Sequence, residues 1–134
     1  MSQLFTSNEN KSTMRLMLEE KEFIFDKTYK RLQKINEGAF GEVFRGVNIH
    51  NHELVAIKFE KPNTKIPNTL EREAKFLKHL KGIKGIPRIF CCGKQHNVKI
   101  IVMELLGNSL SEKLAHSSKL SLKSILIIAD QFLE

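Results

Sequence analysis

The sequence has few cysteines, prolines and large aromatic residues other than phenylalanine, and the low cysteine count bears on disulfides and zinc binding. It contains no tryptophan, one tyrosine, three prolines and two cysteines in 134 residues. The two cysteines are neighbours, Cys91 and Cys92; adjacent cysteines seldom form a disulfide, and two alone fit no zinc spacing. We therefore predict that both are ordinary core residues of a strand and that the chain has no metal site.

Long hydrophobic runs are also lacking. The longest, residues 100–103 and 125–129, fall far short of the ~20 apolar residues that a membrane-spanning helix needs. The N-terminus has no apolar segment followed by a small-residue cleavage site, so no signal peptide is predicted. Because 41% of the residues are hydrophobic, the chain is too apolar to be disordered. We expect a soluble intracellular protein with no membrane partner, located in the cytoplasm, the nucleus or both.

The formal net charge of +7 first suggests a nucleic-acid or anionic-membrane partner. However, the lysines are spread along the chain and mostly interleaved with glutamates. Only "KHLKGIKG", residues 78–85, is locally basic. This distribution favours a solvated basic surface over nucleic-acid binding, and binding of phosphorylated or acidic partners is the alternative.

The pattern of elements predicts an α+β unit. Short strands begin at Tyr29; three strands, one helix and two strands follow, which indicates a five-stranded antiparallel sheet with one packed helix. Asn68 and Glu71 fit a capping box at the start of that helix, and Gly82 fits its end. A last apolar helix reaches Glu134 without a cap, which suggests that a second unit follows.

Two charged residues stand at positions that should be partly buried. Strand alternation places Lys58 on one face with Leu54 and Ala56. Helical spacing places Glu73 in line with leucines on the face that should pack against the sheet. A buried carboxylate needs a cation, so we predict an ion pair between Lys58 and Glu73. The alternative is an edge-strand Lys58 that extends to water.

A glycine-rich stretch, "KINEGAFGEVFRGV", precedes these residues at positions 34–47. Glycines such as Gly38 and Gly41 let a backbone approach phosphate oxygens closely. Glycine in a hairpin turn is ordinary in itself. In combination with Lys58 and Glu73, the stretch favours a hairpin that covers a phosphate chain.

These segments carry a family resemblance. "INEGAFGEVF", "VAIKFE", "LEREAKFLKHLKGIKGIPRI" and "VMELLGNSL" resemble the N-terminal lobe of a eukaryotic protein kinase, and within it the casein kinase 1 group. The Val-Ala-Ile-Lys strand matches the general kinase signature letter for letter. The resemblance covers residues 26–134. It implies an ATP-binding N-lobe at 26–107 and the start of a truncated helical C-lobe at 108–134. Residues 1–25 are polar and rich in Ser, Asn and Lys, so we expect a poorly ordered extension there.

The resemblance also implies roles for individual residues. Lys58 would hold the α- and β-phosphates of ATP, and Glu73 would orient it. Glycines would arch over the phosphates, two small apolar side chains would enclose the adenine, a methionine would stand behind it, and the hinge would follow. The implied ATP-contacting set is Ile35, Gly38, Ala39, Phe40 (at the loop tip), Gly41, Val43 and Ala56 (at the adenine), Lys58, Met103 (the gatekeeper), and Glu104, Leu105 and Leu106 (the hinge).

The sequence departs from the family pattern in two places. Asn36 stands where the glycine-rich loop has its first glycine; asparagine tolerates positive φ, but its side chain could weaken nucleotide affinity. Phosphoryl transfer also needs an aspartate base and residues that hold Mg²⁺. The chain has only two aspartates, Asp26 and Asp130, and neither follows His-Arg nor precedes Phe-Gly. The base and the Mg²⁺ ligands are therefore absent from this chain.

We thus expect the ATP-binding part of a casein-kinase-1-like serine/threonine kinase. The intact enzyme would transfer phosphate from MgATP to Ser or Thr of protein substrates, including acidic or pre-phosphorylated ones. The 134-residue chain alone is expected to be inactive and prone to aggregate through bare apolar surface. The alternative is a non-catalytic half-kinase, or pseudokinase, that binds a nucleotide or a partner.

Overall fold

The computed structural model describes residues 22–39, 41–61, 68–117 and 119–133. Most of the predicted N-terminal extension lies outside the described residues, and so does Phe40 at the predicted loop tip.

The described chain forms one antiparallel sheet with one packed helix and two further helices. The strands are β1 (Phe23–Ile24), β2 (Tyr29–Glu37), β3 (Gly41–Asn48), β4 (Leu54–Glu60), β5 (Ile89–Gln95) and β6 (Val98–Glu104), and the helices are α1 (Thr69–His79), α2 (Leu110–Ser117) and α3 (Leu122–Leu133). The sheet order is β1-β2-β3-β4-β6-β5. The predicted α+β class is confirmed, with six strands in place of the five expected.

The additional strand, β1, lies in the range that the sequence assigned to the extension. Ile24 is buried in the core. The side-chain amide of Gln95 accepts from the Phe25 N–H and donates to the Phe23 carbonyl, both at 2.9 Å. Since β1 and β5 are the two edges of the sheet, this amide connects them. A two-residue strand is too short to produce a sequence alternation, which is why it was missed.

The core has two parts, one on each face of the sheet. One contains Val55 and Ile57 of β4 with residues of β1, β2 and β6. The other lies under α1, where Leu70 and Ala74 pack against Ile101 of β6. The alternation predicted for β4 is confirmed, and it leaves Lys58 on the α1 side of the sheet. Cys91 and Cys92 of β5 are half-buried free thiols that pack into different parts of the core.

Helix α1 does not begin with the predicted capping box. Asn68 has a φ of 64° and makes no side-chain capping bond. Its amide oxygen accepts from Lys99, and the Glu71 carboxylate pairs with Lys99 and Lys75, both at 3.3 Å. An N-cap needs an extended backbone, and the strand lysine competes for both side chains. The helix also ends at His79, three residues before Gly82.

A capping box does form in helix α2. The Ser109 N–H donates to the Glu112 carboxylate at 2.7 Å, and the Glu112 N–H donates to the Ser109 hydroxyl at 3.2 Å. Helix α3 has no buried residue, and most of its apolar side chains, including Leu126 and Phe132, are exposed. Within the described part of the chain, no helix is both long and apolar enough to cross a membrane.

The single tyrosine provides a spectroscopic test of the core. Burial of Tyr29, and secondarily the neighbouring Cys91 thiol and Glu53, raise its pKa to about 12. The raised pKa favours the neutral phenol in the folded state, so this stabilisation is complete below about pH 10 and is lost as the pH rises toward about 12. We expect tyrosinate absorbance to report a pKa of about 12 in the folded chain and about 10 in denaturant. Titration of the folded chain near 10 would contradict the burial, and Tyr29→Phe should remove the signal.

Candidate functional site

The centre of the site is an ion pair between β4 and α1. Lys58 Nζ lies 2.7 Å from Glu73 Oε2, and the two side chains are 27% and 34% exposed. Strand alternation turns Lys58 toward the helix, and the helix places Glu73 one residue before the buried Ala74. The pair expected from the sequence is therefore present. Because Lys58 is held by a carboxylate, the alternative of a lysine extended to water does not apply.

Three further residues of the implied ATP-contacting set share the sheet face of Lys58. Val43 of β3 is directly opposite Lys58, and Met103 of β6 is directly opposite Ala56. Residues that face each other across neighbouring strands project to the same side of a sheet. Val43, Ala56 and Met103 thus form an apolar surface beside the Lys58 ammonium group.

The β2–β3 hairpin contains the two loop glycines, and they differ in what surrounds them. The Gly38 N–H donates to the Gly41 carbonyl at 2.9 Å. A Cβ on Gly38 would meet nothing within 4 Å, whereas a Cβ on Gly41 would overlap the Phe59 carbonyl oxygen. Gly41 is therefore required by the close approach of β3 to β4. The space beside Gly38 is open to a ligand.

Asn36, at the first loop position, uses its side chain locally. Its Oδ1 accepts from the Glu37 N–H at 2.8 Å, and its φ is not positive. The tolerance of asparagine for positive φ is therefore not what lets it occupy this position. The folded-back side chain forms part of the hairpin backbone network.

Sequence reasoning missed a charge cluster on the hairpin. Glu37 and Glu42 are directly opposite each other, an arrangement of like charges that is unfavourable by itself. Lys34 Nζ bridges them at 3.1 Å and 2.6 Å, and Lys61 Nζ lies 2.7 Å from Glu37. Hydrogen bonds to Glu42 and then Glu37 raise the pKa of Lys34, and the bonds from Lys61 and Lys34 lower that of Glu37. The signal in the sequence was the pair of glutamates flanking the turn.

The predicted hinge begins at Glu104, the last residue of β6. The Glu104 N–H donates to the Arg88 carbonyl at 2.8 Å, and the Arg88 N–H donates to the Glu104 carboxylate at 3.1 Å. Leu105 and Leu106 lie beyond the strand, with Leu106 exposed. Ile35 and Ala39, which the resemblance placed near ATP, are exposed on the β2–β3 hairpin.

Among the described residues, no group of three acidic, histidine or cysteine side chains could hold a metal ion. Asp26 lies in the turn after β1, and Asp130 is exposed on α3. The residues present do not fit a Mg²⁺ site. The arrangement can hold an anion against Lys58 beside an apolar surface, but it offers no positioned base.

A comparison with protein families agrees with this geometry. The family model for the protein kinase domain matches residues 29–134, from the first residue of β2 to beyond the last residue of α3.

Proposed function

The chain belongs to the protein kinase domain family, and from this we propose that its site binds ATP as part of a casein-kinase-1-like serine/threonine kinase. The observation that carries the proposal is the 2.7 Å pair between Lys58 and Glu73. It lies on the same sheet face as Val43 and Ala56, below a glycine hairpin with open space at Gly38. A fixed cation beside an apolar surface suits a nucleoside triphosphate, because its phosphates are negatively charged and its base is a flat aromatic ring.

In this proposal each group has a defined task. Lys58 binds the α- and β-phosphates, and Glu73 holds its ammonium group in place. Val43 and Ala56 enclose the adenine, with Met103 behind it. The Glu104 N–H is already bonded to Arg88, so in this proposal the backbone of residues 105–106, beyond the end of β6, binds the adenine edge.

Transfer of the phosphate requires residues that this chain does not contain. Protein kinases generally use ATP with Mg²⁺, and neither an aspartate base nor a Mg²⁺ site accompanies Lys58 here. We therefore assign catalysis to a longer protein that includes this chain. The casein kinase 1 type rests on "GIPRI" and "MELLGNSL", and it implies Ser/Thr substrates, including acidic or pre-phosphorylated proteins. We place the protein in the cytoplasm, the nucleus or both.

The second candidate is a non-catalytic half-kinase that binds a nucleotide or a partner. The observation that favours it is the lack of the catalytic aspartates in the chain itself. The intact mass of the endogenous protein separates the two candidates. A mass well above 15.4 kDa supports a kinase of which this is a part, and a mass of 15.4 kDa supports the binding module.

Calorimetric titration tests the nucleotide site directly. We expect saturable ATP binding to the 134-residue chain, and no transfer of labelled phosphate to a mixed Ser/Thr peptide library. The same library incubated with the endogenous protein tests transfer and Ser/Thr specificity. Absence of binding at millimolar ATP would overturn the nucleotide site, and phosphate transfer by the isolated chain would overturn the assignment of catalysis to a longer protein.

A further inference from the structure

The loop between α1 and β5 contains two consecutive turns of the same kind. The Ile83 N–H donates to the Leu80 carbonyl and the Ile86 N–H donates to the Ile83 carbonyl, both at 3.2 Å. The third residue of each turn is a glycine with positive φ, 88° at Gly82 and 86° at Gly85. This is the pattern of the type II β-turn, which requires glycine at that position. The repeated Lys-Gly-Ile triplet in the sequence therefore corresponds to a repeated backbone conformation.

Because the turns repeat, lysine occupies the same corner of each. Lys81 and Lys84 are both exposed at the second turn position, and Lys78 projects from the last turn of α1. These three lysines and Arg88 line a cavity of about 360 Å³. Among the residues that the structure describes, no carboxylate lines this cavity, which we name the basic-turn groove.

The three lysines of the groove have no anionic partner among the described residues, unlike three lysines on the strands. Lys34, Lys58 and Lys99 each pair with a glutamate. Lys78 and the two turn lysines form no ion pair with any residue that the structure describes. Arg88 is partly satisfied, with Nη2 at 3.4 Å from Glu53 and its guanidinium 4.8 Å from the Phe90 ring. The groove thus concentrates positive charge that an external anion would neutralise.

The remaining lining is aliphatic. Leu77, Ile83, Ile86, Pro87 and Ile89 form the apolar part of the wall, and Ile83 is 56% exposed. None of the described residues that line the groove has an aromatic ring, although single-stranded nucleic acids are commonly held by stacking on aromatic side chains. A concave aliphatic wall beside a row of cations suits a peptide better than a flat membrane surface.

We propose that the basic-turn groove binds an acidic peptide segment of a partner protein. An aliphatic side chain of the peptide lies against Ile83 and Leu77, and its carboxylates meet Lys78, Lys81 and Lys84. The groove is formed at the C-terminal end of α1 and is lined by none of the residues assigned to ATP, so the peptide and ATP are bound by different residues.

Fluorescence anisotropy tests the proposal with a labelled peptide that carries one leucine followed by a run of glutamates. We expect the double variant Lys81→Glu/Lys84→Glu of the 134-residue chain to bind it at least ~10-fold more weakly, because two cations that attract the peptide carboxylates become anions that repel them. The matched control, Lys94→Glu/Lys123→Glu, alters the net charge equally at exposed lysines outside the groove. We expect the control to bind within about twofold of the unaltered chain.

Three outcomes would overturn the proposal. One is equal loss of binding in both double variants, which would mean a general charge effect. Another is equal affinity for the original peptide and for a peptide in which its leucine is replaced by serine. The third is binding of single-stranded RNA or phosphatidylserine vesicles, with the same variant dependence, when the peptide does not bind. Lys81→Gln/Lys84→Gln, which introduces no new charge, repeats the test if the glutamate variant fails to fold.

Discussion

Replacement of Lys58 by methionine is expected to abolish most ATP binding by the chain while leaving it folded. The ammonium group is the charged group of the site that lies beside the apolar surface of Val43 and Ala56. Loss of a charge-assisted contact of ~1.5–3 kcal/mol corresponds to a dissociation constant raised ~10- to 100-fold. Methionine keeps most of the side-chain length, so the packing under α1 is retained. Calorimetric titration with ATP measures the change.

A second ion pair of the same design supplies the control. Lys99 of β6 pairs with Glu71 of α1 at 3.3 Å, two residues before Glu73 on the same helix. Lys99→Met removes a strand-to-helix pair as Lys58→Met does, but at a position with no role assigned toward ATP. We expect its ATP affinity to stay within about twofold of the unaltered chain, because Lys99 is not among the residues assigned to ATP. Equal loss in both variants would mean that α1 docking, rather than a contact with phosphate, is being measured.

The substitution Glu73→Gln tests whether Glu73 acts by orienting Lys58 or contributes to ATP binding independently. If Glu73 acts by orienting Lys58, the double variant Lys58→Met/Glu73→Gln should lose no more affinity than Lys58→Met alone. Additive losses would contradict the orienting role and would indicate two independent contributions.

The Lys58–Glu73 pair could be predicted because it depends on two local periodicities. Alternation along β4 fixes the face of Lys58, and the 3.6-residue repeat fixes the face of Glu73. Because the face of β4 with Lys58 and the face of α1 with Glu73 pack against each other, the buried carboxylate needs the lysine as its cation. The protein kinase fold follows from the same features, since the Val-Ala-Ile-Lys strand and the glycine hairpin are each contiguous in the sequence.

The features that could not be predicted depend on residues distant in sequence. The capping box expected at α1 fails because Lys99, from a strand further along the chain, binds both Asn68 and Glu71. The box at α2 forms between Ser109 and Glu112, which are three residues apart. Likewise, β1 pairs with β2 but is also bonded by the side chain of Gln95, 70 residues from Phe25. A sequence pattern shows which side chains could form a hydrogen bond or ion pair, but not which of them the fold brings into contact.

The glycine hairpin shows the same limit most clearly, because Gly38 and Gly41 are equivalent in the family pattern and different in the structure. A methyl group on Gly41 would overlap the Phe59 carbonyl oxygen, and a methyl group on Gly38 would meet nothing within 4 Å. Neither glycine has positive φ. Gly41→Ala is therefore expected to lower the free energy of unfolding by ~1–3 kcal/mol, since a backbone oxygen cannot rotate away. Gly38→Ala should change it by less than ~0.5 kcal/mol.

The two variants then divide the roles of the hairpin between folding and ligand approach. Urea denaturation measures the free energy of unfolding. Calorimetric titration with ATP, at urea concentrations below the unfolding transition, measures the ATP affinity. If the hairpin covers phosphates, Gly38→Ala should bind ATP several-fold more weakly although its stability is unchanged, because its methyl group occupies the open space that a phosphate would use. Unchanged affinity in Gly38→Ala would mean that the hairpin does not approach the nucleotide at this residue. Equal destabilisation by both variants would mean that the clash at Phe59 is not what requires glycine at position 41.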